Sequence, residues 1–180
     1  MTRYVENTFS ENYLETISVD FRIKCFEGLH STKRLCLQIW NNRSDERYRY
    51  FPVDYHKNSD VLFIFFDITN RESFDQLNSS LQQIHHTQEH YQEIYIVGNK
   101  IDLESKRMVG REEAKEFAQE NGSIYIEISA KDGTNIKETF DEIAKSFFLR
   151  KINDEIPLTP IKGPPPLVVS ENPRNTCITQ

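Results

Sequence analysis

The sequence is poor in glycine, and none of its glycines opens a phosphate-binding loop. The six glycines of the 180-residue chain are at positions 28, 98, 110, 122, 133 and 163, and no Gly-x-x-x-x-Gly-Lys-Ser/Thr pattern begins at any of them. Such a loop holds phosphate groups with backbone N–H groups and a lysine. The 180 residues therefore lack the usual means of binding the anionic end of a nucleotide.

Long apolar runs and excess positive charge are also missing. The longest apolar run, 61–66, has six residues, whereas a membrane-spanning helix needs about 20. Residues 1–10 show no apolar core of a signal peptide. The net charge of −6 argues against nucleic acid as a partner. We therefore expect a soluble cytoplasmic protein unless a lipid is attached.

The three cysteines have no spacing typical of a metal site or a disulfide scaffold. Cys25 and Cys36 lie in apolar, strand-like segments, where the expected role of a cysteine is that of a small buried hydrophobic side chain. We therefore predict that these two cysteines are unbonded, which is typical of a reducing compartment.

The apolar pattern predicts an α/β fold. Segment 17–26 alternates with a period of two and precedes a turn and a second strand at 35–40, which indicates an antiparallel edge hairpin. Continuous apolar runs at 61–66 and 94–97 are typical of parallel strands buried on both faces, and segment 124–128 is predicted to be another strand. Helices are predicted after the strands, with Leu77, Leu81 and Ile84 on one inner face, and over 111–121 and 134–151.

Two polar loops follow the strands at 94–97 and 124–128. The first is Asn99-Lys100-Ile-Asp102, and the second is Ser129-Ala130-Lys131. A carboxylate only accepts hydrogen bonds, so Asp102 matches the adjacent N–H groups on one edge of guanine and leaves adenine unmatched. The alternative is a pair of ordinary polar turns, because Asn, Asp and Gly are common turn residues. Two such loops at neighbouring strand ends favour guanine recognition.

These loops resemble those of small GTPases of the Ras superfamily, and Ile17-Ser-Val-Asp-Phe21 resembles the segment that marks the Rab subgroup. The resemblance implies that Asp102 reads the base edge and the Ala130 backbone N–H meets the base oxygen. Lys100 and Lys131 would flank the base and ribose, while Asn99 and Ser129 brace the loops. The cofactor implied is GTP or GDP.

The resemblance also implies a phosphate sensor and magnesium ligand at Thr16, for which a capping hydroxyl is the alternative role. Where the family has Asp-Thr-Ala-Gly-Gln-Glu, this chain has Asn41, Asn42, Arg43, Ser44, Asp45 and Glu46. Asn41 lacks the charge that supports Mg²⁺, and Asp45 places a carboxylate where the family has the catalytic glutamine. We therefore predict weak nucleotide and Mg²⁺ binding, little GTP hydrolysis and no catalytic residue.

The aromatic triad on which Rab effectors dock corresponds to Phe21, Trp40 and Tyr55, all of them aromatic here. Packing in the core is the alternative role for Phe21 and Trp40. Expected partners are effectors, exchange factors and escort proteins.

The last segment differs in composition, since six of the seven prolines fall between Pro157 and Pro173. We predict a domain over 1–151 and a disordered tail over 152–180. The tail ends in a possible prenylation box at Cys177, for which an unmodified cysteine is the alternative. A prenyl group would place the protein on the cytosolic face of endomembranes. Residues 167–169 resemble the aliphatic tail patch that contacts escort proteins, or are incidental.

Residues 1–5 resemble the end of the family's first helix, so the expected fold is a small-GTPase-like, mostly parallel sheet without the amino-terminal strand and phosphate loop. That strand lies between those at 35–40 and 61–66 in the family, so its absence leaves two inner edges that must close up or borrow a strand. Three functions remain open: a Rab-like trafficking protein acting through partners, an amino-truncated form of an active GTPase, or an unstable fragment.

Overall fold

The computed structural model describes residues 1–11, 20–27, 29, 35–42, 59–87, 93–153 and the backbone of 167–170. The strands in chain order are β1 (Asp20–Phe26), β2 (Leu35–Asn42), β3 (Val61–Asp67), β4 (Glu93–Asn99), β5 (Ile124–Glu127) and β6 (Leu167–Ser170). The helices are α1 (Thr2–Glu6), α2 (Arg71–Asp75), α3 (Leu77–Thr87), a 3₁₀ helix (Ile101–Lys106), α4 (Arg111–Glu120) and α5 (Ile136–Ile152). None of these helices has the length and apolarity needed to cross a bilayer.

The six strands form one sheet in the order β1-β2-β6-β3-β4-β5. β1 and β2 are antiparallel and lie at one edge, whereas every other neighbouring pair is parallel. The predicted α/β fold with an antiparallel edge hairpin is confirmed.

Helices cover both faces of the sheet, and the apolar side chains of β3 and β4 are buried beneath them. Alternate side chains of β3 enter two separate cores. Phe63 packs with α1 and α5, with its ring centroid 4.6 Å from that of Phe140. Phe66 packs with α2, α3 and α4, with its centroid 5.0 Å from that of Phe74. Every residue of β3 and β4 is buried as a result.

The central position beside β3 is filled from the segment that the sequence assigned to a disordered tail. β6 pairs in parallel with both β2 and β3, so Leu167–Ser170 departs from the expected disorder. Of the two outcomes considered for the inner edges, the structure shows a borrowed strand. The sequence did not predict this four-residue strand because the surrounding prolines indicate an irregular tail and its pairing partners lie far away in the chain.

The prediction of unbonded cysteines is wrong, because Cys25 and Cys36 form a disulfide. They oppose each other directly in the β1–β2 register, with their Cα atoms 4.0 Å apart, and both are exposed. Register in the hairpin creates this pairing, which the separation of 11 residues does not reveal. The inference of a reducing compartment rested on unbonded cysteines, so these two residues no longer support it.

The short helix α1 is held to α5 by a buried hydrogen bond. Tyr4 Oη donates to Asp141 Oδ1 at 2.8 Å. Burial, together with this bond to a carboxylate, raises the pKa of Tyr4 well above its ordinary value. Burial opposes ionisation of Asp141, yet hydrogen bonds from Lys137 and Tyr4 and the nearby charge of Lys24 hold its pKa below the ordinary value. The ionised carboxylate therefore stabilises the junction of α1, β1 and α5.

Asp141→Asn is expected to flatten the dependence of stability on acid pH. Because the pKa of Asp141 is lowered by folding, the carboxylate stabilises the fold above its unfolded pKa of about 4, and this stabilisation is lost as pH falls through the folded pKa. Denaturant unfolding between pH 7 and pH 3 measures the effect. The control is Glu138→Gln, an exposed carboxylate on the same helix. An equally steep pH dependence in Asp141→Asn and the unsubstituted chain would contradict the assignment.

Candidate functional site

The two polar loops predicted from the sequence meet at one edge of the sheet. β4 and β5 are parallel neighbours, and Gly98 is the register partner of Glu127. Asn99 therefore ends β4 close to Ser129, which follows β5 by two residues. Ile128 N donates to Gly98 O at 2.8 Å, and this bond continues the pairing beyond the end of β5. Ligands of open α/β sheets bind at this carboxyl edge.

Asn99 links the two loops and keeps one polar group unused. Its Oδ1 accepts a hydrogen bond from Ala130 N at 3.1 Å. Its Nδ2 is buried and has no hydrogen-bond partner among the described residues. A buried amide donor without a partner costs free energy unless a ligand accepts from it. The residue is 1% exposed, so this donor belongs to a built site and not to a solvated turn.

Asp102 is held in place by the second loop. Ser129 Oγ donates to Asp102 Oδ1 at 2.7 Å and accepts from Asp132 N at 3.2 Å. Ser129 is fully buried, whereas Asp102 is exposed. The hydroxyl therefore orients a carboxylate that remains accessible to a ligand. Asp102 lies in the first turn of the short 3₁₀ helix that begins after Lys100.

Both lysines of the loops already have anionic partners. Lys100 Nζ lies 2.6 Å from Asp67 Oδ2, which is almost fully buried at the end of β3. Lys131 Nζ lies 2.8 Å from Glu11 Oε1, and the hydrogen bond to this carboxylate raises the pKa of Lys131. The structure thus shows both lysines paired with carboxylates of the chain, and their flanking of a base and ribose stays a prediction.

Arg3 also contacts the site, with Phe9 beside it, although sequence reasoning did not identify either residue. Arg3 Nε donates to Ala130 O at 2.9 Å, and its Nη2 donates to Lys131 O at 2.5 Å. Its guanidinium also lies 5.9 Å from the ring centroid of Phe9. These bonds join residues more than 120 positions apart, so no local pattern could indicate them. Arg3 fixes the backbone of the second loop from the opposite end of the chain.

The strand end that carries the first loop depends on close packing at Gly98. A Cβ at this position would lie 2.7 Å from Tyr125 Oη. Tyr125 cannot retreat easily because its hydroxyl donates to Glu127 Oε1 at 2.7 Å. Burial opposes ionisation of Glu127, but hydrogen bonds from Tyr125, Arg111 and Arg107 keep its pKa below the ordinary value. The ionised Glu127 therefore fixes the ring that faces Gly98.

Two residues of the predicted aromatic triad are adjacent on the edge hairpin. Phe21 and Trp40 are register partners of β1 and β2, with their ring centroids 4.7 Å apart. Phe21 is 38% exposed, so the alternative of core packing does not describe it. Trp40 is partly buried against the core formed with α2, α3 and α4. The pair lies four register positions along the hairpin from the exposed disulfide.

Several predicted positions lie outside the described residues. They are Thr16, with its predicted phosphate and magnesium roles, Tyr55 of the aromatic triad, Ser44 and Asp45 of the altered segment, and Cys177 of the prenylation box. Asn41 is described, and its side chain is buried at the end of β2. Its Oδ1 has no hydrogen-bond partner among the described residues.

The mostly parallel sheet, with the two linked loops at its carboxyl edge, defines a small-GTPase-like domain.

Comparison of the sequence with known proteins leads to the same class of protein. The model of the Ras family matches residues 1–148. Ras-related protein Rab-1 of Theileria parva is 35% identical over 165 residues, which cover 91% of this chain and 72% of that protein. Ras-related protein Rab-13 of Bos taurus is 32% identical over 168 residues, or 89% and 81% of the two chains. The chain therefore belongs to the Ras family and is a Rab-type small GTPase.

Gly98→Ala is expected to destabilise the fold by about 1–3 kcal/mol, because the new methyl group overlaps the Tyr125 hydroxyl. Urea unfolding of the variant measures the loss. The double variant with Tyr125→Phe removes the overlapping oxygen and should recover part of it, while contacts of 3.2 Å to Ile68 and Phe66 remain. Additive effects of the two substitutions would show that Tyr125 does not restrict position 98.

Proposed function

We propose that this chain recognises the guanine base through the two loops and acts mainly through partner proteins in vesicle and membrane-protein transport. The supporting observation is the convergence of Asn99 and Asp102 with Ser129 and Ala130, which leaves one buried amide donor without a partner among the described residues and holds one exposed carboxylate in place. Asp102 would accept from the two adjacent N–H groups of guanine. Asn99 Nδ2 would donate to an acceptor of the base, and adenine would leave the carboxylate unmatched.

The other proposed contacts with the base require Ala130, Lys100 and Lys131 to exchange their present hydrogen-bond or ion-pair partners for the ligand. Ala130 N donates to Asn99 Oδ1, so a base oxygen would share or replace that acceptor. Lys100 and Lys131 would flank the base and ribose only after turning from Asp67 and Glu11. The Lys131 pair is exposed and costs little to break. We therefore assign these lysines a secondary part in binding.

Fewer residues of the described chain are placed to bind the phosphate end of a nucleotide than its base. Members of the Ras family bind GTP or GDP with Mg²⁺. Here the position between β2 and β3 is taken by β6, and a neutral amide, that of Asn41, is buried at the end of β2. Such an amide cannot balance a divalent cation as a carboxylate does. We propose weak binding of Mg²⁺, with Thr16 as its ligand when it binds, and impaired GTP hydrolysis.

Partner binding then carries the function. Phe21 and Trp40 present aromatic surface at the sheet edge, and we propose that they form an effector surface together with Tyr55. Aromatic side chains are enriched among residues that dominate interface energies. Exchange and escort proteins are further proposed partners of this Rab-type domain over 1–151.

Membrane attachment is proposed through the tail of residues 152–180. A prenyl group on Cys177 would supply a single lipid anchor on the cytosolic face of endomembranes. The tail carries two basic and three acidic residues, so no polybasic patch reinforces it. One lipid chain without such a patch holds a membrane only reversibly.

Titration of the 180-residue protein with fluorescent GDP, GTP and ADP tests the proposal. We expect GDP and GTP to bind alike, with dissociation constants of about 10 μM or weaker, little response to Mg²⁺ and no binding of ADP. Base contacts alone produce this pattern because they do not distinguish di- from triphosphate. Nanomolar, Mg²⁺-dependent binding followed by hydrolysis that substitution of Asp45 abolishes would favour an active GTPase.

Asp102→Asn should change the base preference. The substitution replaces one acceptor oxygen by an NH₂ donor, which matches xanthine, whose carbonyl replaces the exocyclic amine of guanine. We expect binding of GDP to fall by at least about tenfold and binding of xanthosine diphosphate to rise. Glu104→Gln, an exposed carboxylate on the same 3₁₀ helix, is the matched control. Equal losses for both bases in Asp102→Asn would contradict a base-reading role.

A further inference from the structure

The disulfide lies on the outer face of the edge hairpin. Alternate residues of the two strands share this face, as three register pairs: Phe21 with Trp40, Ile23 with Gln38, and Cys25 with Cys36. The opposite face carries Leu37 and Ile39, which are buried in the core shared with β3. Ile23 is 53% exposed, and both cysteines are exposed. The disulfide is therefore open to solvent on the same face as the aromatic pair.

The outer strand β1 depends on the hairpin pairing. In the described sheet β1 is outermost and pairs only with β2. Beyond the sheet, Arg22 Nε donates to Glu6 Oε1 and Lys24 Nζ donates to Tyr4 O, both at 3.1 Å. The pair of Arg22 with Glu6 is largely exposed and holds the strand weakly. A covalent link between the two strands limits how far they can separate, so it stabilises their pairing.

An exposed disulfide can be opened by thiol–disulfide exchange, because an attacking thiolate can reach its sulfur atoms. One thiolate of a soluble dithiol attacks the Sγ atom of one cysteine and forms a mixed disulfide. The other cysteine leaves as a thiolate, which takes up a proton. The second thiolate of the dithiol then displaces the remaining cysteine, so the products are two cysteine thiols and the disulfide of the reductant. Exchange with an external disulfide reverses both steps.

The proposed location gives this exposure a consequence, and this step rests on the proposed function. A protein that acts on the cytosolic face of endomembranes meets a pool of reduced thiols. Disulfides in such a compartment are usually transient, catalytic or redox-sensing. Exposed disulfides are also the more easily reduced ones. The exposed bond between Cys25 and Cys36 therefore fits a regulated link better than a permanent one.

We infer that the bond between Cys25 and Cys36 is a redox-sensitive link that controls how firmly β1 is held against β2. The closed link restrains the hairpin, and reduction to two thiols lets β1 separate from β2 more often. Phe21 lies on β1 and Trp40 on β2, with their ring centroids 4.7 Å apart. Their contact therefore depends on the pairing that the link restrains. The redox state of the two cysteines thereby sets how often the aromatic surface is intact.

Reduction of the folded 180-residue protein tests whether the link can open. The protein is first treated with oxidised glutathione, then with dithiothreitol in the absence of denaturant, and its free thiols are alkylated and located by peptide mass mapping. We expect Cys25 and Cys36 to be alkylated only after dithiothreitol, and a second treatment with oxidised glutathione to restore the bond. A bond that opens only in denaturant, or one that does not form again, would overturn the inference.

Amide exchange and quenching of tryptophan fluorescence test the effect of reduction on the hairpin. We expect dithiothreitol to accelerate amide exchange in β1 by about tenfold or more, while exchange in β4 stays unchanged. Trp40 is the single tryptophan of the chain, so acrylamide quenching should rise in parallel as its contact with Phe21 loosens.

The variant Cys25→Ser/Cys36→Ser is the matched control, because both side chains are exposed and serine cannot form the bond. It should show the fast exchange of the reduced protein with or without dithiothreitol. Equal exchange in β1 of the oxidised and reduced protein would overturn the inference. These measurements require no nucleotide and no partner, so their outcome is independent of guanine recognition and effector binding.

Discussion

The buried backbone of β3 is the constraint on which the rest of the sheet depends. Its seven residues, Val61–Asp67, have both faces in apolar cores, so both edges of the strand need hydrogen-bond partners. β4 pairs with all seven residues, and β6 pairs with Leu62–Ile64 on the other side. Backbone pairing of β6 with both β2 and β3 joins the edge hairpin to the rest of the sheet. A four-residue segment far along the chain thereby decides whether the central sheet is continuous.

The candidate site is formed by bonds between its two loops before any ligand binds. Ser129 orients Asp102, and Asn99 accepts from Ala130, so each loop fixes the other. Arg3 adds two bonds to the backbone of the second loop from the first helix. A site whose groups are already oriented loses less conformational freedom on binding. This arrangement supports the proposal that the two loops recognise a base.

The contrast between the two ends of the nucleotide follows from where each group of residues lies. The proposed base-reading residues follow β4 and β5, which pair with each other. In our proposal the phosphate end of the nucleotide would lie near β6, where Asn41 is buried at the end of β2. The aromatic pair of exposed Phe21 and partly buried Trp40 lies on the edge hairpin. The proposed effector surface therefore belongs to the same hairpin that β6 joins to the sheet.

The sequence by itself determined the α/β class, most strand positions and the two loops at the strand ends. Apolar periodicity is local information, and continuous runs such as 61–66 indicate burial on both faces. Only the tertiary structure decided that Cys25 bonds to Cys36, that Arg3 contacts Ala130, and that Leu167–Ser170 enters the sheet. Each of these is a pairing between segments, set by strand register and by packing of distant elements. A side chain's own sequence neighbours carry no record of such partners, so these contacts became visible only in the folded chain.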